Sequence, residues 1–198
     1  MNDKRTYAVA RMESIMFEGE PYGLNRNGTV EQVKEITESA SFSAYQELME
    51  KGLIEVVYIG DTDGGAIRDN FQKSFARVSR QPASKIISNV KKSAEKVKEV
   101  TENMDVKQAK LVMGFRTGGG SEINTDAMRV ACALYGATPF SKLFINVREK
   151  LSLCYYCSSR YDRMKGYMLV NSGVELQNKE KAVKEIMRQL ELVQKGDF

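Results

Sequence analysis

Apolar residues recur along this chain with two different periods, and each period predicts a type of element. Spacings of three and four residues indicate helices that turn an apolar stripe toward a core, and alternation at every second residue indicates strands. The helical stretches are residues 4–17, 29–36, 38–51, 63–78, 125–136, 138–151 and 178–195. The strand-like stretches are residues 54–59, 109–116, 153–159 and 167–174.

Several of the predicted helices begin at residues that can cap them. Thr29 and Gln32 have the spacing of a capping box, in which each side chain accepts a backbone N–H of the other residue. Asp63 precedes another apolar stripe and can cap it in the same way. We expect Thr138 to cap the helix that follows it, because Pro139 suits a first helical position.

The stretch 138–159 passes from the helical period to the strand period, and this change brings two functional side-chain types together. Arg148 falls near the end of the predicted helix and Tyr155 falls early in the predicted strand. Regular alternation would place Tyr155 and Cys157 on one face of the strand and Cys154 on the other. The two thiols of this C-x-x-C would then be unable to share a metal ion, so we interpret them as ordinary free thiols.

The order of elements predicts the fold class. Strands joined by a hairpin and separated by helices are typical of an α+β protein. We expect a mixed, largely antiparallel sheet with helices packed on one face.

Composition and charge narrow the functional classes. The chain has 198 residues, of which 42% are hydrophobic and 28% charged, with a net charge of +4. The hydrophobic and charged contents are typical of a globular protein. The net charge is too small to indicate a nucleic-acid partner. Because no apolar run approaches the roughly 18 residues of a membrane span, and the N-terminus lacks a signal-peptide pattern, we expect no membrane partner. Three cysteines fit reduced thiols in the cytoplasm.

The sequence contains no histidine, and this excludes several kinds of catalytic site. Histidine is the commonest catalytic zinc ligand and the usual acid–base residue near neutral pH. A Ser-His-Asp or Cys-His site within this chain is therefore excluded, as is an H-x-x-E-H zinc helix.

The segment SKLFINVREKLSLCYY resembles the pattern S-x-L-F-x-x-x-R-E-K-x-x-L-x-Y of the pitrilysin/insulinase family of zinc metallopeptidases, which includes the mitochondrial processing peptidases. The resemblance extends over residues 22–198. It includes the upstream segments GTVEQVKEIT and IEVVYIGD, the segment KLVMGFR and the closing helix before KGDF. It implies an α+β sandwich of one sheet and one helical layer. Since active members carry zinc on H-x-x-E-H, it also implies the C-terminal, non-zinc domain.

The resemblance implies a role for Arg148 and Tyr155 in holding a bound peptide opposite a zinc site. We expect no cofactor in this chain, and zinc only in a missing N-terminal domain or a partner. The expected partners are a peptide substrate and a homologous zinc-bearing domain or subunit, in a homo- or heterodimer. We expect residues 1–28 to be the tail of a preceding domain and residues 29–198 to be the non-catalytic domain, as a fragment of a longer chain. Cys154 replaces the family's glycine before the tyrosine.

Two other functions are compatible with the sequence. The chain could be a pseudoenzyme that serves as a scaffold or binding subunit for an active homologue. A weaker alternative is a nucleic-acid module built on the lysine-rich stretch 85–98, although no aromatic residue or arginine lies there to read bases. The glycine-rich loop 117–124 fits neither phosphate-binding glycine pattern, so we interpret it as a surface turn.

Overall fold

The computed structural model describes residues 3–83, 91–118 and 123–197. Contacts divide the chain into two units: Met1–Arg26 with Asn89–Phe198, here called the sheet unit, and Asn27–Ser88, the helical unit. The first segment packs within the sheet unit, and the predicted boundary at residue 28 stays a prediction. The origin of residues 1–28 in a preceding domain stays a prediction.

The sheet unit is built on three antiparallel strands. They are β1 (Ala109–Arg116), β2 (Cys154–Asp162) and β3 (Tyr167–Val174), in the order β1-β3-β2. Every residue of the central strand β3 is buried. The predicted strands at 109–116 and 167–174 and the α+β class are confirmed.

Alternation along β3 sends side chains to two separate cores. Met168 and Val170 face a helical layer, whereas Tyr167 and Leu169 face helix α1 (Lys4–Met16) on the other side of the sheet. Asp3 caps α1 by accepting from backbone N–H groups of the first turn. The helical layer covers one face, as predicted, and α1 covers the second face as well.

The helical layer contains α-helices and stretches with π-helical hydrogen bonding. Helix α5 (Thr125–Cys132) continues as a π-helical turn over Ala133–Ala137, and a π-helix follows at Leu143–Lys150. The last helix covers Lys179–Gln194 and is called α6 below.

The predicted start of the helix at Thr138 is wrong. The Thr138 hydroxyl donates to the Ala133 carbonyl at 3.2 Å and so belongs to the preceding turn. The π-helix begins five residues later, where the Ser141 hydroxyl accepts from the Phe144 N–H at 3.5 Å.

The helical unit contains α2 (Val30–Glu35), α3 (Glu38–Lys51) and α4 (Gly64–Phe75). The predicted capping box at Thr29 is present, and Asp63 caps α4 as predicted.

We predicted a strand at 54–59 in the helical unit, and this prediction is wrong. The segment is not paired with any strand in the described part of the chain, and Val57 and Ile59 are 85% and 93% exposed. High β-propensity reflects packing against neighbouring strands, so a run without a neighbour does not become a strand. The stripes on α2 and α3 predicted to face a core are also exposed, including Val33, Phe42 and Leu48.

Candidate functional site

Arg148 lies in the last turn of the π-helix, with 40% of its side chain exposed. Its guanidinium sits over the ring of Phe144, 4.5 Å from the ring centroid. Its Nε lies 3.6 Å from a carboxylate oxygen of Glu149, which is itself 57% exposed. Because the ion pair is exposed and longer than a good hydrogen bond, Arg148 is free to turn toward a ligand at low cost.

The π-helix that carries Arg148 is fixed to α6 and to the core. The Asn146 amide donates to Gln189 at 3.0 Å, and Gln189 donates to Glu185. The buried Val147 packs on the same side. A rigid helix therefore presents a half-exposed guanidinium, an arrangement that suits a binding residue.

The chain passes from the π-helix to β2 through an unusual backbone conformation. Ser152 has a φ of +50°, in the left-handed region that non-glycine residues rarely adopt. Three residues later the ladder with β3 contains a β-bulge: Cys154 pairs with Val174 and Tyr156 with Gly173, so Tyr155 is the extra residue. Bulges often re-aim a side chain, and this one turns Tyr155 outward.

Tyr155 is 54% exposed and reaches a surface depression at the end of the sheet where β2 begins and β3 ends. Its hydroxyl donates to Glu175 at 3.2 Å. The depression has a volume of ≈ 590 Å³, and its lining residues are Lys107, Tyr155, Glu175, Leu176 and Gln177. It combines a cation, a carboxylate, an amide and a phenol, which is chemistry suited to the groups of a peptide backbone. Arg148 does not line it.

The bulge also changes which way the two cysteines point. The predicted placement of Cys154 and Cys157 on opposite faces is wrong, whereas the prediction that both are free thiols is confirmed. Cys157 pairs with Ser172 and Cys154 with Val174, two positions apart on β3 and hence on the same face. Both cysteines pack against the core that contains Val170.

The two thiols of this pair differ in acidity. A hydrogen bond from Cys157 lowers the pKa of Cys154 to about 7, with smaller contributions from Ser172 and from the charge of Arg148. The same hydrogen bond and burial raise the pKa of Cys157.

The third cysteine is a core residue. The Cys132 thiol lies 3.1 Å from the Ser159 hydroxyl and is buried, and this burial raises the pKa of Cys132. Its neighbour Tyr135 is also buried and donates to the Ile186 carbonyl at 2.9 Å.

The donor groups of this chain do not fit a catalytic zinc ion. A zinc site takes three or four ligands from histidine, cysteine and carboxylate side chains. No histidine exists in the sequence, and residues 3–83, 91–118 and 123–197 contain no cluster of three such groups. The pair at Cys154 and Cys157 has no third donor within that described part.

Sequence reasoning found Arg148 and Tyr155 but missed two features of their surroundings. Glu175 follows β3 and is brought to Tyr155 by the hairpin, a relation that depends on strand register. The Cys154–Cys157 contact depends on the bulge. The C-x-x-C spacing was the one signal that could have pointed to it, and regular alternation argued against it.

Two predicted features fall partly outside the described residues. They are the first part of the lysine-rich stretch 85–98 and the centre of the glycine-rich loop 117–124. Within the part of the chain that is described, no helix is long and apolar enough to cross a bilayer.

Comparison with known proteins gives a consistent result over the whole chain. Residues 2–198 match the family model described as "Peptidase M16 inactive domain". The chain is 35% identical over 198 residues to "Probable inactive metalloprotease YmfF" of Bacillus subtilis, covering 100% of this chain and 46% of that protein. The chain thus spans about half the length of this curated relative.

Solved structures show the same fold. A conserved protein from Enterococcus faecalis superposes with a TM-score of 0.89 at 27% identity, over 99% of this chain and 46% of that one. A peptidase M16 inactive domain from Pseudomonas fluorescens gives a TM-score of 0.76 at 15% identity, over 99% and 48%. A protease from Helicobacter pylori gives 0.71 at 15% identity, over 100% and 54%.

Proposed function

Because this chain belongs to the peptidase M16 inactive-domain family and is the inactive domain of a metalloprotease-like protein, we propose that it closes a peptide chamber and positions substrate. The family resemblance inferred from the sequence is confirmed. The zinc site opposite the bound peptide would be carried by a homologous domain or subunit, in a homo- or heterodimer. The assembly would work in the cytoplasm, a reducing compartment that suits a chain whose three cysteines are free thiols.

The observation that carries this proposal is the junction between the π-helix and β2. Arg148 and Tyr155 flank it, both are exposed, and neither is held by a buried partner. A guanidinium can donate to a peptide carbonyl or carboxylate, and a phenol can donate to a peptide oxygen. Both would be working as substrate-binding residues, with the bond-breaking chemistry supplied from elsewhere.

We expect the isolated 198-residue chain to bind no stoichiometric zinc and to cleave no peptide. The reason is the missing donor set, since catalytic zinc requires three protein ligands. Metal analysis after dialysis and a peptide-cleavage assay check both points. One tightly bound zinc per chain, together with proteolysis that a chelator abolishes, would sink the proposal.

Replacing Tyr155 by phenylalanine in the full-length protein, together with its zinc-bearing partner, should lower peptidase kcat/KM about five- to thirty-fold. This corresponds to one lost hydrogen bond of about 1–2 kcal/mol. Stability should hardly change, because the hydroxyl's hydrogen bond within the described residues goes to Glu175 and is exposed to solvent.

The matched control for this substitution is Tyr45→Phe. Tyr45 is an exposed tyrosine of the helical unit, 57% accessible, and its replacement should leave kcat/KM unchanged. Full activity of Tyr155→Phe would show that the phenol does not touch substrate.

A second candidate function is a pseudoenzyme scaffold for an active homologue. The name of the Bacillus relative, a probable inactive metalloprotease, favours it, as does the cysteine at position 154 where the family has glycine. The two functions differ in one observation. Chelator-sensitive cleavage by the full-length protein and its partner supports substrate positioning, and binding to an active homologue without an effect of Tyr155→Phe supports the scaffold.

A further inference from the structure

We propose that Cys154 and Cys157 form a redox-active dithiol, a modification site that takes low-molecular-weight disulfides and closes to an intramolecular disulfide. Nothing in the proposed peptide-binding role uses this pair. The site is defined by the bulge of β2 and by the face of β3 that both thiols share.

The bulge brings the two cysteines within bonding reach. Cys154 and Cys157 pair with Val174 and Ser172, so three residues of β2 span two residues of β3. At about 3.3 Å per residue this places the two Cα atoms roughly 6.6 Å apart. Disulfides have Cα separations of roughly 4.4–6.8 Å and Cβ separations of roughly 3.5–4.5 Å. The pair meets the Cα range at its long end, and a local backbone shift at the bulge must draw the two Cβ atoms together before the bond closes. Without the bulge the two Cα atoms would lie about 10 Å apart.

The two thiols have the exposures that an attacking and a resolving cysteine need. Cys154 is half-buried and so reachable by a small reagent, whereas Cys157 is 4% exposed and is reached through Cys154. The hydrogen bond from Cys157 lowers the pKa of Cys154, which favours the thiolate that attacks disulfides. Cys132 is buried on Ser159 and has neither property.

The reaction balances as two exchange steps. The Cys154 thiolate attacks one sulfur of a small disulfide, forms a mixed disulfide and expels one small thiolate. Cys157 then loses its proton and attacks the Cys154 sulfur, and the second small thiolate leaves. Two protein thiols are oxidised, and one molecule of small disulfide is reduced to two thiols.

The disulfide would close a ring that contains Tyr155, the extra residue of the bulge. A cross-link here restricts the backbone that presents the phenol. If Tyr155 binds substrate, oxidation would change substrate binding. This effect on binding rests on the proposed function, whereas the oxidation itself does not. The chemical test below needs no peptidase activity, so the two can fail separately.

The test is oxidation of the full-length protein with glutathione disulfide at neutral pH, followed by an acid quench, alkylation and tryptic mass mapping. Trypsin cuts after Lys150 and Arg160, so both cysteines fall in the single peptide 151–160, and Cys132 falls in the separate peptide 130–142. We expect peptide 151–160 to become two hydrogens lighter and to take up no alkylating agent. Cys132, which is read out in peptide 130–142, should be oxidised at least about ten-fold more slowly than the pair in peptide 151–160, because its thiol is buried.

Two variants separate the steps and guard against a folding artefact. Cys157→Ser should stop at a stable mixed disulfide of glutathione on position 154, and Cys132→Ser should oxidise like the unchanged protein. Dithiothreitol should restore both thiols. A persistent mixed disulfide in the unchanged protein, no reaction of peptide 151–160, or oxidation of Cys132 at the same rate would each overturn the proposal.

Discussion

Replacing Glu20 by alanine is expected to lower the free energy of unfolding by about 3–5 kcal/mol. This is the cost of leaving one charge of a buried ion pair without its counter-charge. Glu20 pairs with Arg116 at the end of β1, and each side chain is 6% exposed. Arg116 also donates to the Met16 carbonyl at 2.6 Å and the Lys91 carbonyl at 3.0 Å, and lies over the Phe17 ring. Without Glu20 the Arg116 guanidinium would remain charged and buried between α1 and β1, with no carboxylate beside it.

Chemical denaturation followed by circular dichroism measures this effect, and the chain provides a matched control. Glu18 lies two residues away and pairs with Lys98, but its side chain is 74% exposed. Glu18→Ala should therefore cost less than about 1 kcal/mol. Replacing both buried partners, as Glu20→Leu with Arg116→Met, should recover much of the loss. If Glu20→Ala and Glu18→Ala unfold at the same denaturant concentration, the pair does not hold α1 to the sheet.

Replacing Arg148 by alanine in the full-length protein with its zinc-bearing partner is expected to lower peptidase kcat/KM by roughly ten- to a thousand-fold. This is the scale of losing one positioned donor to a developing charge. The free energy of unfolding should change by about 1 kcal/mol or less, because the ion pair of Arg148 with Glu149 is exposed. Arg148→Lys should recover only part of the loss, since an ammonium cannot form a bidentate pair.

Steady-state kinetics and a denaturation curve on the same samples check this expectation. Arg129→Ala is the control: Arg129 is another exposed arginine of the sheet unit, with 64% of its side chain accessible and an exposed partner in Asp126. It should keep kcat/KM within about two-fold. If Arg148→Ala keeps full kcat/KM, the arginine is not a substrate contact, and the scaffold function is favoured.

Features that depend on neighbouring residues in the chain could be predicted from the sequence. The capping box at Thr29 and the cap at Asp63 use short spacings, and both are present. The bounds of strands β1 and β3 were also predicted correctly. Arg148 and Tyr155 were found through a family pattern, and their role stays a prediction.

Features that depend on a distant partner could not be predicted. The bulge at Tyr155 exists only in relation to β3, and it reverses which face Cys154 occupies. The π-helical hydrogen bonding at Leu143–Lys150 has no period that separates it clearly from an α-helix over eight residues. The run 54–59 has the composition of a strand, but composition alone does not supply a strand to pair with.

The strand order β1-β3-β2 has a consequence for how the protein is made on the ribosome. Within the described residues strand β1 pairs with β3 alone, and its first pair, Ala109 with Val174, joins residues on either side of β2 and a helical segment. The ribosome therefore releases β1 well before the strand that completes its hydrogen bonds. The local hairpin of β2 and β3 can close first, and β1 docks afterwards onto its free edge. Until then the backbone N–H and C=O groups of β1 that pair with β3 have no strand partner, and its apolar side chains are uncovered.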